Sequence, residues 1–418
     1  MLVSLFLPII VTLAGLYLLI KFRFFFVRHP IRTAKSFISA LSDRDTRRSF
    51  FLALAGTLGV GNIFGVAAGI MIGGPGSIFW LFLSGIFSMI IKYAETLLVF
   101  DSGIERGGMS AVFKRIFGKA GHSMSILYAL LTLFLSLSMG SAMQSAAVID
   151  VARQGLSVHP ITSLVILVVL LIPCIAGRSE KIESITEIVI PMTTIIYILM
   201  CFAVIFINFT RIHDVINLII SSAFSFRSAA GGMTFLMVKE GFARGILSNE
   251  AGAGTSAMAH SRSRNRSSHT AGLFAMSEVF FDSTLLCTLT GISILLSVPD
   301  LNDFKTPMAL VNAAFSGIGK GASSLLPFII LAFAYSTLIC WYYYGSECVG
   351  IHFPLFKRVY PIAFLLTVIF SAFISSTLMI SVIDILLLFM TLMTLSAILK
   401  QSSRLACVSF SQQKNPEP

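Results

Sequence analysis

Two glycine-rich stretches carry the polar residues best suited to bind a ligand. They are GTLGVGNIFG (56–65) and SNEAGAG (248–254), and each lies inside a long apolar run. In lipid, a helix is interrupted only where it is buried in protein or lines a cavity, because unpaired backbone groups are costly there. An opened helix offers N–H groups that suit a carboxylate and C=O groups that suit a small cation. Both stretches therefore predict a binding site formed largely by backbone.

Close helix packing is the alternative interpretation of the first stretch. Gly61, Gly65 and Gly69 have the four-residue spacing of small residues at membrane helix contacts. Two breaks at matching positions of two halves of a chain favour a transporter site instead. Asn62 adds a side chain that both donates and accepts hydrogen bonds.

Glu250 lies within the second stretch, where a carboxylate is costly and indicates a function. We expect a structural or gating role rather than substrate contact. Its partner would be Arg244 or Lys239 in a salt bridge, or a hydrogen bond that holds the break open.

The composition defines the class of protein. The chain has 418 residues, of which 56% are hydrophobic and 12% are charged, and its mean hydropathy is +0.90. A soluble domain carries about 25% charged residues. We therefore predict an all-α polytopic membrane protein, since the apolar runs are continuous and do not alternate as in a β-barrel. The net charge of +11 does not indicate nucleic-acid binding, because the basic residues fall in short loops.

About eleven apolar runs are long enough to cross a membrane. They cover 2–20, 50–72, 76–100, 122–148, 160–177, 184–208, 229–257 (broken), 271–297, 322–346, 359–376 and 378–399. With these spans, the loops of one side hold 22 of the 30 Lys and Arg residues and the opposite loops hold five. Positive loops face the cytoplasm. The count therefore predicts an inner-membrane protein with its N-terminus outside and its C-terminus in the cytoplasm.

The two breaks lie five spans apart, which predicts one extra N-terminal helix followed by two inverted five-helix repeats. The predicted segments are a transmembrane helix (1–20), a basic interfacial segment (21–49), the first repeat (50–208), an extracellular connection (209–228), the second repeat (229–400) and a cytoplasmic tail (401–418).

Four blocks in order resemble the alanine/glycine:cation symporters, the sodium:alanine symporter family. They are GVGNIFGVAAGIMIGGPGSIFW (59–80), FARGILSNEAGAGTSAMAHS (242–261), SEVFFDSTLLCTLTGISILL (277–296) and AFAYSTLICWYYYGSEC (332–348). The resemblance implies a leucine-transporter-type fold. It also implies symport of a small neutral amino acid, alanine or glycine, into the cell with Na⁺ as coupling ion and no organic cofactor.

The resemblance also implies which residues form the site. Substrate-binding residues would be Gly59, Gly61, Asn62, Gln144, Ser248, Asn249, Gly252, Gly254 and Trp341, with the first three at the substrate carboxylate. Ser336 and Thr337 would bind Na⁺ together with carbonyl groups of the first break. Without the resemblance, a bond to the preceding turn of their own helix is the preferred interpretation of these two hydroxyl groups. The chain departs from the family pattern at 106–118 and in its last helix.

Three other functions are open to the sequence. A proton-coupled carrier would titrate Glu250, with Glu278 and Asp282 one turn apart, although every histidine falls in or near a predicted loop. An ion channel would need a continuous polar pore. An intramembrane enzyme would need a nucleophile and base, and Ser248 has no evident histidine partner. The protein is therefore expected not to be an enzyme. Sodium dependence of uptake separates the two carrier hypotheses.

Overall fold

The computed structural model describes residues 3–104, 106–177, 179–224, 232–262, 267–301, 303–373 and 376–414. Regular structure in these ranges is entirely helical. The helices are Val3–Lys21, Phe25–Arg28, Pro30–Ala40, Arg44–Thr57, Gly61–Gly65 (π), Val66–Gly73, Ser77–Asp101, Gly108–Leu135, Ser136–Met143 (π), Gln144–Leu156, Pro160–Ile175, Ser179–Ile207, Phe209–Arg211 (3-10), Ile212–Ala223, Gly232–Asn249, Ser256–His260, Ser268–Val279, Phe280–Cys287 (π), Thr288–Ser297, Pro307–Ser316, Lys320–Ser323, Leu326–His352, Pro354–Phe356 (3-10), Tyr360–Phe370, Ser371–Phe373 (3-10) and Ser376–Lys414.

The all-α polytopic fold is confirmed. Within the described ranges, six helices are long and apolar enough to cross a membrane, or seven if the bent pair around the first glycine-rich stretch is counted as one span. The other predicted spans coincide with shorter or interrupted helices. The count of eleven and the two five-helix repeats therefore stay predictions.

The helices around the two breaks are labelled in chain order. They are α1 (Arg44–Thr57), α2 (Gly61–Gly73), α3 (Ser77–Asp101), α4 (Gly108–Leu156), α5 (Gly232–Asn249), α6 (Ser256–His260), α7 (Ser268–Ser297), α8 (Leu326–His352) and α9 (Ser376–Lys414). The first break, residues 58–60, separates α1 from α2, whose axes are bent by 49°. The second break, residues 250–255, separates α5 from α6. Both glycine-rich stretches therefore interrupt a helix, as the sequence predicts.

Three connections are more helical than the apolar runs indicate. Helix α4 begins at Gly108, not near residue 122, and a non-helical Gly118 (φ 55°, ψ −123°) kinks it. The connection 209–228 contains the helix Ile212–Ala223. Helix α9 continues through most of the predicted tail 401–418. Hydropathy does not detect these segments because polar residues interrupt them. Residues 225–231 and 415–418, at the edges of predicted segments, lie outside the described ranges.

Two of the basic loops that charge counting assigns to one side meet at the same end of one helix. Arg47 and Arg48 both pair with Glu187, at 3.0 and 2.8 Å. Arg262, from the loop after α6, pairs with Glu183, one turn earlier on the same helix as Glu187. These contacts agree with the predicted sorting of loops. Which membrane face this end occupies stays a prediction.

Helices α3 and α5 approach each other very closely at Gly241. A Cβ atom there would lie 2.4 Å from the Ser77 carbonyl oxygen and 2.6 Å from the Trp80 Cβ atom. Small residues allow such backbone contact, which holds membrane helices together in the absence of a hydrophobic driving force. This contact fixes α5, and with it the second break, against α3.

Gly241→Ala should therefore lower the stability of the bundle by about 1–3 kcal/mol, because the added methyl group has no space. The measurement is thermal unfolding of purified protein in detergent. Gly350→Ala is the matched control, since a Cβ atom at Gly350 would meet nothing within 4 Å. Equal melting temperatures for the two variants would contradict the close contact.

Candidate functional site

The C-terminal end of α1 is held by side chains of α8. The Thr337 hydroxyl donates to the Leu58 carbonyl at 3.0 Å, and the Trp341 indole N–H donates to the Gly56 carbonyl at 3.2 Å. The last carbonyl groups of a helix have no partner within it, so such donors satisfy them. The carbonyl groups of the first break therefore converge with hydroxyl and indole groups in the interior of the bundle.

Two predicted site residues bind the backbone of the first break directly. Asn62 Oδ1 accepts from the Gly59 N–H at 2.9 Å, and Gln144 Oε1 accepts from the Val60 N–H at 3.3 Å. A Cβ atom at Gly59 would lie 3.0 Å from the Thr337 hydroxyl oxygen and 3.1 Å from Gln144 Oε1. Glycine is therefore required by this close approach, and Asn62 and Gln144 stabilise the opened backbone.

The N-terminal end of α2 is the open side of the first break. Cβ atoms built at Gly61 and Gly65 would meet no heavy atom within 4 Å. Both glycines are partly accessible, whereas Asn62 between them is buried. The positive end of the helix dipole lies here, where anions bind favourably.

The second break needs left-handed backbone. Gly252 has φ 92° and Gly254 has φ 75°, and Glu250 has φ 53°, which a residue with a Cβ atom adopts at a cost. A side chain at Gly252 would meet Thr391, and one at Gly254 would meet Met109. These glycines are therefore packed against α9 and α4.

Glu250 stabilises the second break from within. Its Oε2 atom accepts from the Thr255 hydroxyl at 2.8 Å, and its side chain is buried. The predicted alternative of a salt bridge is wrong, because Arg244 and Lys239 pair with Glu240 at 3.0 and 3.5 Å. The hydrogen bond fits the structural role expected of Glu250.

One N–H group of the second break binds a carboxylate of the protein itself. Glu95 of α3 is fully buried, and its Oε1 atom accepts from the Gly252 N–H. The Tyr128 hydroxyl donates to the Ala253 carbonyl at 2.6 Å. Glu95 was missed by sequence reasoning, although a carboxylate inside the predicted span 76–100 is itself a signal of function.

A buried ionic network lies beside the second break. Lys92, one turn before Glu95, lies 3.6 Å from Glu278 Oε1 and donates to the Ser256 hydroxyl at 2.9 Å. His260 Nε2 lies 3.3 Å from Glu278 Oε2. The expectation that every histidine falls in or near a loop misses the position of His260, whose side chain is fully buried. Helix α6 continues to His260, beyond the end of the predicted span at residue 257, and so places this histidine inside the bundle.

The Asp282 cluster consists of Asp282, Asn62, Ser248, Asn249 and Ser283. Asn62 Nδ2 donates to Asp282 Oδ1 and to the Ser248 hydroxyl, the latter at 2.9 Å. The Ser248 and Ser283 hydroxyls donate to Asp282 Oδ2 at 2.9 and 2.6 Å. Asn249 Nδ2 donates to Ser283 at 3.0 Å. The cluster joins both breaks through Asn62 and Ser248. Asp282 is therefore a second residue of the site that the sequence analysis did not place beside the breaks.

The two predicted Na⁺ ligands on α8 differ. Ser336 donates to the Ala332 and Phe333 carbonyls of its own helix, at 2.9 Å each, and to no other group in the described part of the chain. Thr337 bonds to Phe333 and also reaches Leu58 in the first break. Of the pair, Thr337 therefore has the geometry for an ion shared with the first break.

Trp341 is fully buried beside the first break. A Cβ atom at Gly140 of α4 would lie 2.2 Å from the Trp341 Cβ atom, and the Tyr344 ring packs edge-on at 5.4 Å. The Trp341 side chain is thus held by Gly140, Tyr344 and its bond to the Gly56 carbonyl, as a residue that limits the size of a ligand would need to be.

Glu95→Ala should destabilise the protein by about 1–3 kcal/mol, because it leaves the buried Gly252 N–H of the second break unpaired. Asp101→Ala is the matched control on the same helix. Asp101 pairs with the exposed Arg404 at 2.9 Å, and such surface pairs contribute about 1 kcal/mol or less. Thermal unfolding compares the two, and equal losses of stability would contradict the role of Glu95.

The model of the sodium:alanine symporter family matches residues 1–415. A sodium/alanine symporter of Methanococcus maripaludis is 30% identical over 382 residues, which cover 86% of this chain and 81% of that protein. A probable sodium/glutamine symporter of Bacillus subtilis is 30% identical over 358 residues, covering 80% and 72%.

Solved structures share the fold. A Na⁺-coupled sialic acid symporter, in its substrate-bound outward-open state, superimposes with a TM-score of 0.60 at 13% identity and covers 95% of this chain and 97% of its own. A manganese transporter of Eremococcus coleocola gives 0.54 at 14% identity and covers 84% and 76%. The leucine-transporter-type fold implied by the sequence blocks is thereby confirmed.

The family match spans almost the whole chain, and the relatives are transporters rather than enzymes. The protein is a secondary transporter, and it belongs to the sodium:alanine symporter family.

Proposed function

We propose that the protein carries a small neutral amino acid, alanine or glycine, into the cell together with Na⁺ by alternating access. The observation that carries this proposal is the difference between the two breaks. The Gly252 N–H of the second break already binds the Glu95 carboxylate, whereas the N-terminal end of α2 has open space at Gly61 and Gly65. Of the two breaks, the first therefore has the space for a substrate carboxylate, at the N-terminal end of α2.

The substrate carboxylate would lie at the N-terminal end of α2. Its charge would meet the positive end of the helix dipole, and the absence of side chains at Gly61 and Gly65 would let it approach the backbone. Asn62 and Gln144 would hold this backbone open through their bonds to Gly59 and Val60. Gly252 and Gly254 would act through the shape of the second break, not by touching the substrate.

The coupling Na⁺ would lie between the C-terminal end of α1 and α8. The Leu58 carbonyl and Thr337 hydroxyl oxygens already lie 3.0 Å apart, and both are hard, uncharged oxygen ligands. The negative end of the α1 dipole would add to the attraction for a cation. Ser336 would join only by turning its hydroxyl away from its own helix.

The protein would lie in a bacterial cytoplasmic membrane with its basic end inside. The relatives named for alanine and for glutamine show that members of this family differ in substrate. A small substrate is favoured here by the fully buried Trp341 beside the first break.

Thr337→Val should raise the Na⁺ concentration that half-saturates alanine uptake by about tenfold, equivalent to about 1.4 kcal/mol of lost ion binding. Uptake into proteoliposomes at fixed pH, with Na⁺ replaced stepwise by choline, measures this. Ser346→Ala is the control on the same helix, since Ser346 donates to the Tyr343 carbonyl of its own helix. If wild-type uptake is unchanged in choline and follows an imposed pH gradient, the coupling ion is H⁺ and not Na⁺.

Gly61→Ala should fold normally, because a Cβ atom has space there. The methyl group would occupy volume used by the substrate, so affinity for alanine should fall by roughly tenfold and affinity for glycine by less. Counterflow of labelled alanine and glycine measures both affinities, with Gly350→Ala as control. Unchanged affinities would show that the substrate does not bind at this end of α2.

A further inference from the structure

We propose that the Pro30–Ala40 helix, together with Arg28 just before it, is a docking surface for the headgroups of anionic phospholipids. The occupant is a phospholipid of the surrounding bilayer, and neither a soluble phosphate nor a second protein. The proposal goes beyond the transport function, because it does not depend on which amino acid or ion the protein carries.

The Pro30–Ala40 helix has two faces with different surroundings. Phe37 is buried against the protein. Ile31, Lys35 and Ile38 recur at helical spacing on the opposite face, and all three are exposed, the two isoleucines by 72% and 66%. Large apolar side chains in such a row indicate a surface that is covered. An amphipathic helix with basic residues beside its apolar side chains is typical of the membrane interface.

Aromatic contacts place this helix at the boundary between lipid and water. The Phe37 ring lies 5.3 Å from the Phe50 ring of α1 and 4.8 Å from the Phe274 ring of α7. Phe50 begins the apolar part of α1, directly after Arg47, Arg48 and a serine. Basic residues flank membrane helices at the level where the apolar layer ends. The Pro30–Ala40 helix therefore lies beside the level of the lipid headgroups.

An apolar surface leads from the preceding helix to this one. The Val3–Lys21 helix is apolar, and Leu16 and Ile20 near its end are 43% and 60% exposed, as side chains that face lipid would be. Val27 is 55% exposed and precedes Ile31 on the chain. The exposed side chains at 31 and 38 thus continue a lipid-facing surface, which favours a lipid over a soluble protein as the occupant.

The charge of the surface is complementary to an anionic headgroup. Residues 21–42 contain five Lys and Arg residues and no Asp or Glu. Arg28 and Lys35 are exposed, and within the described ranges neither belongs to an ion pair, whereas Arg47 and Arg48 both pair with Glu187. Lys35 lies between the two exposed isoleucines, so its stem can cross the apolar layer while its ammonium group reaches the phosphates.

Fluorescence quenching by brominated lipids tests the proposal on the full-length protein in vesicles. A bimane label is attached at Ala34→Cys, an exposed position of this helix, in a Cys407→Ser background, because the other five cysteines are buried. The vesicles contain equal mole fractions of phosphatidylglycerol and phosphatidylcholine, with one or the other brominated. We expect both lipids to quench, and phosphatidylglycerol to associate more strongly.

Variants of the two cations test the source of this preference. Arg28→Gln and Lys35→Gln should each lower the association constant of phosphatidylglycerol relative to phosphatidylcholine by about fivefold, and together by about 25-fold. The matched control, Lys114→Gln with Lys119→Gln, removes two exposed cations of α4 and should keep the preference. Size-exclusion profiles check that every variant folds. Inorganic phosphate, added at constant ionic strength, should not change the result.

Four outcomes would overturn the proposal. Absence of quenching by either lipid would show that the helix does not lie at the membrane. Equal quenching by both lipids would leave an interfacial helix without a headgroup site. Equal losses in the test and control variants would assign the preference to general surface charge. Loss of the preference in inorganic phosphate would assign the site to a soluble anion. Uptake enters none of these measurements, so they stand apart from the proposed function.

Discussion

Every backbone N–H and C=O group within a bilayer needs a partner from the protein, and this constraint governs the site. Two helices are opened in this chain, and each opening leaves unpaired groups in the interior. The protein satisfies several of them with side chains: Thr337, Trp341, Asn62 and Gln144 at the first break, and Glu95 and Tyr128 at the second. The space that remains open, at the N-terminal end of α2, therefore indicates where a ligand would bind.

The two breaks differ in whether a group of the protein already occupies their N–H side. At the second, Glu95 takes the position at which a ligand carboxylate would bind, and the neighbouring Lys92 and Glu278 tie α3 to α6 and α7. At the first, the N-terminal end of α2 has open space. Asn62 and Ser248 link the two breaks through Asp282. Because of this link, an ion or substrate that changes the conformation of one break would also change the other. Coupled transport requires such an interaction between two sites.

Much of this could be predicted from the sequence. Hydropathy and the glycine positions gave the helical class and both interruptions, since these depend on local composition. Side-chain partners depend on which helices meet. Asn62 was expected at the substrate but bonds to Gly59 and Asp282, and Glu278 and Asp282, one turn apart on α7, join different clusters. Lys92 and Glu95 are charged residues inside a predicted span, which is itself a signal of function, but no local pattern reveals that their partners lie in the second break, which is distant in sequence.

The most direct test of the central claim is an experimental structure with bound alanine. The account predicts the alanine carboxylate at the N-terminal end of α2, beside Gly61, with Glu95 still bonded to the Gly252 N–H. An alanine carboxylate bound to the Gly252 and Gly254 N–H groups, with Glu95 displaced, would contradict it.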